Sequence, residues 1–161
     1  MTVNQAKSLI SRNHDKTVDK SFDSIYTMRM NIVIYHNPEC STSRNVLNII
    51  QSAGYKPTVI EYVREGWTCS HLLGLFAAAG LTPKTALRET KSPAKELGLL
   101  EPGVTDNEIL TQMLAYPVLV NRPIVCSAKG VKLCRPSETV LELLDRMPAG
   151  PLYKEDGERI L

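Results

Sequence analysis

The sequence predicts an α/β fold, and three observations carry that reading. Asn31–Tyr35 ("NIVIY") is a short apolar, β-branched run. Thr42–Ala53 repeats apolar residues at helical spacing. Two further apolar runs, Ile124–Ser127 and Val131–Cys134, flank a turn that contains Gly130.

In chain order, Asn31–Tyr35 reads as a buried strand. The helix after it places Val46, Ile50 and Ala53 on one face with Leu47 beside them, and Gly54 is positioned to end it. Thr58–Val63 ("TVIEYV") reads as a second strand. The length of this β-α-β unit favours a parallel crossover. Cys69–Ala79 reads as a helix stopped by Gly80. Thr82-Pro83 resembles an N-cap with proline at the first helical position, and Thr85–Glu89 continues that short helix. Pro93–Leu97 supplies another turn. Thr105-Asp106-Asn107-Glu108 is a capping box, so Thr105–Ala115 reads as a helix, with Pro117–Val120 extending away from it. The two apolar runs around Gly130 form a hairpin. Pro136-Ser137-Glu138 opens a last helix that runs to about Arg146. The closing "PAGPLYKEDGERIL" is polar and weakly patterned. This order matches a thioredoxin-like, glutaredoxin-like fold with an inserted helical segment.

With 161 residues, 43% of them hydrophobic, the chain suits one domain with a proper core. Residues 1–29 are polar and weakly patterned and are expected to form a disordered extension. Residues 30–161 are expected to form the domain. Met28 and Met30 both precede the first strand, and translation starting at either would remove most of that extension. The net charge of +2 resides in the first thirty residues, so the remainder is balanced. That argues against a nucleic-acid binder held by a broad basic face. The longest apolar run, Leu72–Leu81, is about half the length that crosses a bilayer, so no membrane partner is expected. The first residues lack the apolar stretch of a secretory signal. The four cysteines form no CxxC pair. Reduced thiols in the cytoplasm are the expectation.

Cys40 sits in "HNPECSTSRN", where the first strand hands over to the first helix. The first N–H groups of a helix have no partner within it, and together with the helix dipole they favour an anion. A cysteine there has its pKa drawn from about 8.5 toward or below neutrality, and the thiolate is the nucleophile. Ser43 and its hydroxyl neighbours can add donors, and Arg44 adds a nearby positive charge. The alternative is a small buried hydrophobe, the usual state of a free cysteine. His36 either tunes the thiolate or caps the loop. A dithiol motif would place cysteine at position 43, where this chain has serine, so a redox cycle needs an external thiol. Cys69 begins a helix without an arginine cluster and reads as structural.

Arg122-Pro123 enters the hairpin and Arg135-Pro136 leaves it. Pairing Cys126 with Val131 brings Arg122 opposite Arg135. Like charges so placed repel unless an anion lies between them. The pair reads as a fork for an oxyanion, or else as two solvated arginines at strand ends, since a one-residue slip removes the coincidence. The same register sets Cys126 and Cys134 on opposite faces, which argues against a disulfide. Pro123 stands where a thioredoxin-like fold carries a cis-proline.

"IYHNPECSTSRN", "LRET", "NRPIV" and "LCRPSE", in this order and with a "KEDGE" near the end, resemble the ArsC family, the arsenate reductases that work with glutathione and glutaredoxin. The resemblance runs from about Met30 to that last motif. It implies reduction of arsenate to arsenite through a thiol–arsenate adduct on Cys40. It implies Arg88, Arg122 and Arg135 as oxyanion-binding residues, and His36 as accessory to the thiolate. Arg88 enters only through the resemblance; by itself it looks like an ordinary helix-surface charge. Glutathione is implied as co-substrate and glutaredoxin as partner, with no bound cofactor and no metal. Nothing in the chain points to flavin or nicotinamide, and no GxGxxG follows the first strand. Ser41 departs from the family, which commonly has glycine there, and serine tolerates positive φ poorly. Competing readings are a regulator of the Spx type, whose usual CxxC switch Ser43 breaks, and another glutathione-dependent thiol oxidoreductase. A phosphatase loop would need C-x5-R, whereas Arg44 follows Cys40 after three residues.

Overall fold

A computed structural model of the protein describes residues 31–161. The disordered extension expected for residues 1–29 lies outside them. Strand β1 (Val33–Tyr35) leads into helix α1 (Ser41–Ser52) and returns as β2 (Thr58–Ile60). A single helical turn, α2 (Tyr62–Glu65), then precedes helices α3 (Cys69–Ala79) and α4 (Asp106–Ala115). The hairpin is β3 (Ile124–Ser127) and β4 (Gly130–Leu133), followed by a 3₁₀ element over Ser137–Leu143. The sheet order is β2-β1-β3-β4. β1 and β2 are parallel, and the other neighbours are antiparallel. This is the thioredoxin-like arrangement, with the helical segment inserted between β2 and β3. Residues 31–161 form one compact unit.

Alternation along the strands divides the core between the two sheet faces. Tyr35 and Ile124 point into a core shared with Leu72, Phe76, Ile109 and Met113 of the inserted helices. Ile34 and Val125 are buried on the other face, where α1 and the 3₁₀ element supply Val46, Ile49, Ile50 and Val140. Among the described residues no helix is long and apolar enough to cross a membrane.

Helix boundaries follow local chemistry. Gly80 stops α3 in the left-handed conformation at φ 66°. The capping box of α4 is complete: Thr105 Oγ1 accepts from the Glu108 N–H, and Glu108 accepts from the Thr105 N–H at 2.8 Å.

Three expectations are corrected. The second strand ends at Ile60 rather than Val63, because Tyr62 turns inward to donate to the Val120 carbonyl at 2.8 Å while Val63 stays exposed. Thr85–Glu89 is not helical. It is a turn in which Thr82 and Thr85 bond each other, followed by a bridge between Leu87 and Val120. Its consecutive residues Ala86, Leu87 and Arg88 are all buried, a pattern no surface helix accommodates. The last element is 3₁₀ and stops at Leu143. Its buried residues Ser137, Val140 and Leu143 recur every third position, the period of a 3₁₀ helix.

The closing segment, polar in sequence, is docked. It folds back on itself through a Tyr153–Arg159 bridge. Glu155 takes both Arg44 Nε and Nη2, at 2.6 and 2.8 Å, and its N–H donates to Asn45 Oδ1 at 3.0 Å. Lys154 pairs with Glu138 at 2.6 Å. One strap therefore joins the first turn of α1 to the 3₁₀ element that follows Arg135.

Candidate active site

The loop between β1 and α1 is closed by its own backbone. The Cys40 N–H donates to the Asn37 carbonyl at 3.0 Å, and the Glu39 N–H to Asn37 Oδ1 at 2.9 Å. Cys40 is thereby held as the N-cap of α1, in an extended conformation, with only 5% of its surface exposed. Ser41 is the first helical residue. Lys91 is the single non-glycine residue with positive φ among the described ones, so serine fits at position 41 without strain.

Burial opposes ionisation of the Cys40 thiol, but four groups outweigh it. They are the Ser43 N–H, the charge of Arg122, the Ser43 hydroxyl and the guanidinium of Arg135, and the pKa is lowered to about 7. The Ser43 groups favour the thiolate by proximity without completing a capping hydrogen bond to the thiol. The Ser43 hydroxyl also accepts from the Asn37 N–H at 3.4 Å, leaving its proton available to the sulfur. Arg135 Nη1 stands 3.9 Å from Cys40 Sγ.

The hairpin brings the arginines to this thiol. The register pairs Cys126 with Val131, as expected, and Ile124 with Leu133. The Cys134 N–H donates to the Pro123 carbonyl at 2.9 Å and carries the pairing onward. Arg122 and Arg135 therefore stand opposite each other, with Arg135 Nη1 donating to the Arg122 carbonyl at 3.1 Å. Both arginine–proline bonds are cis. Arg122 is 9% exposed, so it is no solvated strand end, and its buried Nε has no partner among the described residues.

Arg88 joins them from the turn after Ala86. Its N–H donates to the Leu119 carbonyl at 2.7 Å, its carbonyl accepts the Ser92 hydroxyl, and its Nε donates to the Thr90 carbonyl at 3.1 Å. Only 8% of the residue is exposed. Burial and then the facing charge of Arg122 lower its pKa, with Arg135 adding to the effect. Residue patterning alone misses Arg88. Among the described residues no carboxylate lies within ion-pair distance of Arg88, Arg122 or Arg135.

His36 and Arg44 are placed differently. His36 is buried at the end of β1, where its N–H bonds the Ile60 carbonyl at 2.8 Å. Burial lowers its pKa and keeps it neutral, against the pull of Glu61. Arg44 lies on the first turn of α1, but its guanidinium is engaged by Glu155 and by the Pro38 carbonyl. Cys69 is exposed. Cys126 and Cys134 are free thiols, the second pushed up to about 12 by burial.

Arg88, Arg122 and Arg135 line one cavity of about 560 Å³. Arg135 also borders a second, of about 350 Å³, beside Ser41, Thr42 and Lys154. Three cations without carboxylate partners line one cleft, and one of them, Arg135, reaches the Cys40 thiol; together they can bind a tetrahedral oxyanion and present it to the nucleophile.

Comparison with known proteins agrees with this chemistry. The family model described as the ArsC family matches residues 35–143. Over 130 residues the chain is 70% identical to the arsenate reductase ArsI2 of Synechocystis, covering 81% of this chain and 93% of that protein. It is 46% identical over 131 residues to an arsenate reductase of Escherichia coli K12, covering 81% and 93%. A solved arsenate reductase from Vibrio cholerae superposes with a TM-score of 0.67 at 35% identity, over 71% of this chain and 98% of that one.

Proposed function

The chain belongs to the ArsC family, and from that premise we propose that it reduces arsenate to arsenite, with Cys40 as nucleophile and with glutathione and glutaredoxin as the source of electrons. The observation that carries this reading is the gathering of Arg88, Arg122 and Arg135 around one cavity, with Arg135 3.9 Å from the Cys40 sulfur, two of the three buried and none with a carboxylate partner. An isolated buried charge is costly. An anionic substrate offsets that cost, whereas a protein that only contacts a partner has no use for it.

Arsenate near neutral pH is largely the hydrogen arsenate dianion. The arginines hold its oxygens by charge-assisted hydrogen bonds, and the Ser43 N–H of α1 favours the attacking thiolate. The Cys40 thiolate attacks arsenic; an As–O bond breaks, two protons are taken up, and water leaves. The product is a Cys40–S–As(V) adduct carrying one negative charge. Glutathione sulfur then bonds to arsenic, and a second oxygen leaves as water with the thiol proton and one further proton. A glutaredoxin thiol attacks the glutathione sulfur. The S–As bond breaks, its electron pair stays on arsenic, and the thiol proton moves to an arsenic oxygen. Arsenic is now As(III), and glutaredoxin and glutathione are joined as a mixed disulfide. Water releases arsenous acid and returns the Cys40 thiol. Each step uses side chains and external thiols, with no bound cofactor or metal. The arginines stabilise charge as it shifts between oxygen and sulfur. Ser43 favours the thiolate, and His36 and Arg44 hold the loop from outside the anion site.

The test is arsenate-dependent NADPH consumption in the presence of glutathione, glutaredoxin and glutathione reductase, for wild type and Cys40→Ser. Turnover lost in the variant supports the reaction and its nucleophile together. A folded wild type that consumes no NADPH, with or without residues 1–29, overturns the proposal.

A further inference from the structure

The cavity of about 560 Å³ is larger than its arginines require. It falls in the range of roughly 300–1,000 Å³ typical of pockets for drug-sized ligands, well beyond one tetrahedral oxyanion. Past the arginines its wall is formed by Lys84, Glu89 and Asn121. Lys84 and Glu89 also line an adjoining cavity of about 260 Å³, so the cleft continues outward past both. Both residues are exposed. Among the described residues neither has an ion-pair partner, and they are not paired with each other.

We infer that this outer half of the cleft is the docking site of the reducing thiol, a small zwitterionic peptide thiol such as glutathione, with its free amino-acid end held between Lys84 and Glu89. The inference rests on the proposed arsenate reduction, since it locates the second reactant of that reaction.

Two arguments support the assignment. The thiol sulfur must reach an arsenic atom bonded to Cys40 and surrounded by the arginines, so its site has to be continuous with theirs; this cleft is. An α-amino acid end carries one ammonium and one carboxylate on a single carbon, which suits the free base Lys84 and the free acid Glu89 that border both cavities; Glu101 borders only the outer one. An extended tripeptide spans roughly 10 Å, enough to rest one end there and place its middle residue, the cysteine, toward the arginines. Asn121 lines the same cavity, and with its Oδ1 accepting from Arg122 its amide N–H groups can donate to a peptide carbonyl. The second cavity beside Arg135 is a weaker host. Its cation, Lys154, is already bonded to Glu138 and Glu158, at 2.6 and 2.8 Å.

Glu89→Gln gives the sharpest test, because specific pairing and general field predict opposite signs. Glutathione carries net negative charge, so removing a negative group at the mouth should lower its KM if only the overall field mattered. Loss of the ammonium partner should instead raise KM for glutathione about threefold to fivefold, the scale of an exposed ion pair, while KM for arsenate stays level or falls. N-acetylglutathione, which lacks the ammonium, should be used by Glu89→Gln as well as or better than by wild type. Lys84→Gln should raise KM for both forms of the thiol. A KM for glutathione that is unchanged or lower in Glu89→Gln, in an enzyme that turns over arsenate, overturns the docking site and leaves the reaction standing.

A binding arm reads the site without turnover. S-methylglutathione, which cannot react, is titrated onto Cys40→Ser and followed by amide NMR. Saturable shifts over residues 84–90 whose midpoint moves about threefold to fivefold higher in Cys40→Ser/Glu89→Gln support the site even if arsenate reduction fails. Their absence in Cys40→Ser overturns it.

Discussion

Replacing Ser43 by alanine isolates the part of thiolate stabilisation that carries no charge. Ser43 is fully buried, accepts the Asn37 N–H and holds its own proton for the Cys40 sulfur. A hydrogen bond to a charged group contributes about 1.5–3 kcal/mol, and one pKa unit corresponds to about 1.4 kcal/mol. The variant keeps the backbone N–H of residue 43 and both nearby arginines, so the loss belongs at the lower end of that range. The Cys40 pKa should rise from about 7 by about one unit. A raised pKa means less thiolate at any fixed pH near neutrality. At pH 7 the thiolate fraction should drop from about one half to about one tenth, and the two proteins should converge above about pH 9. The assay is the rate of iodoacetamide alkylation against pH, read by mass spectrometry on the Cys40 peptide so that exposed Cys69 does not contribute. Arsenate turnover should show the same deficit at pH 7 and the same recovery at high pH. An alkylation midpoint unmoved in Ser43→Ala would refute the assignment of the hydroxyl as a thiolate donor.

Arg122→Ala should lower kcat/KM for arsenate by about a hundredfold or more, the usual scale for losing a group that stabilises developing charge. Its melting temperature should hold or rise, because a buried cation facing Arg88 is removed; a melting temperature that collapses would mean that Arg122 is structural. Arsenate added to Cys40→Ser should raise the melting point with concentration, by about 2.7 kcal/mol of stability at a hundred times Kd, and an unmoved melting point at saturating arsenate counts against the arginine site. Glu155→Gln frees the Arg44 guanidinium beside the nucleophile loop. That exposed pair should contribute little to stability, while the freed charge should shift the Cys40 alkylation midpoint downward; an upward shift would show that the strap supports the thiolate rather than screening Arg44 from it.

Much of this site could be read from the sequence because its parts are local. Cys40 is placed by a strand, a two-turn loop and a helix start, all written within twenty residues. The Arg122–Arg135 pairing follows from hairpin register, and a short turn at Ala128-Lys129 leaves little freedom to slip. Arg88 was illegible for a physical reason. Its place depends on Leu87 bridging Val120, more than thirty residues away, and on a main-chain bond to Leu119. No periodicity records a contact of that kind. The closing segment failed for a related reason. Its charged residues look solvated in sequence, yet Glu155 and Lys154 find partners on α1 and on the 3₁₀ element. Polarity signalled exposure correctly for Asp156 and Glu158 but carried no information about docking. Helix type was also beyond the sequence, because Ser137, Val140 and Leu143 can be read at a helical spacing of three or four until packing selects three.

The distribution of charge around Cys40 shows how the scaffold holds a site that repels itself. Among the described residues none of the three is fixed by a carboxylate: Arg135 donates to the Arg122 carbonyl, Arg88 to the Thr90 carbonyl, and Arg122 to the amide oxygen of Asn121. Carbonyl oxygens orient a guanidinium without cancelling its charge. A carboxylate would have stabilised the fold more, and it would have occupied the valence that an oxyanion needs. Arg44 is the contrasting case within the same few ångströms of chain. It is neutralised by Glu155 and so withdrawn from competition for the substrate. The difference between these arginines lies in their partners, and it divides the cations that serve the anion site from the one that serves the fold.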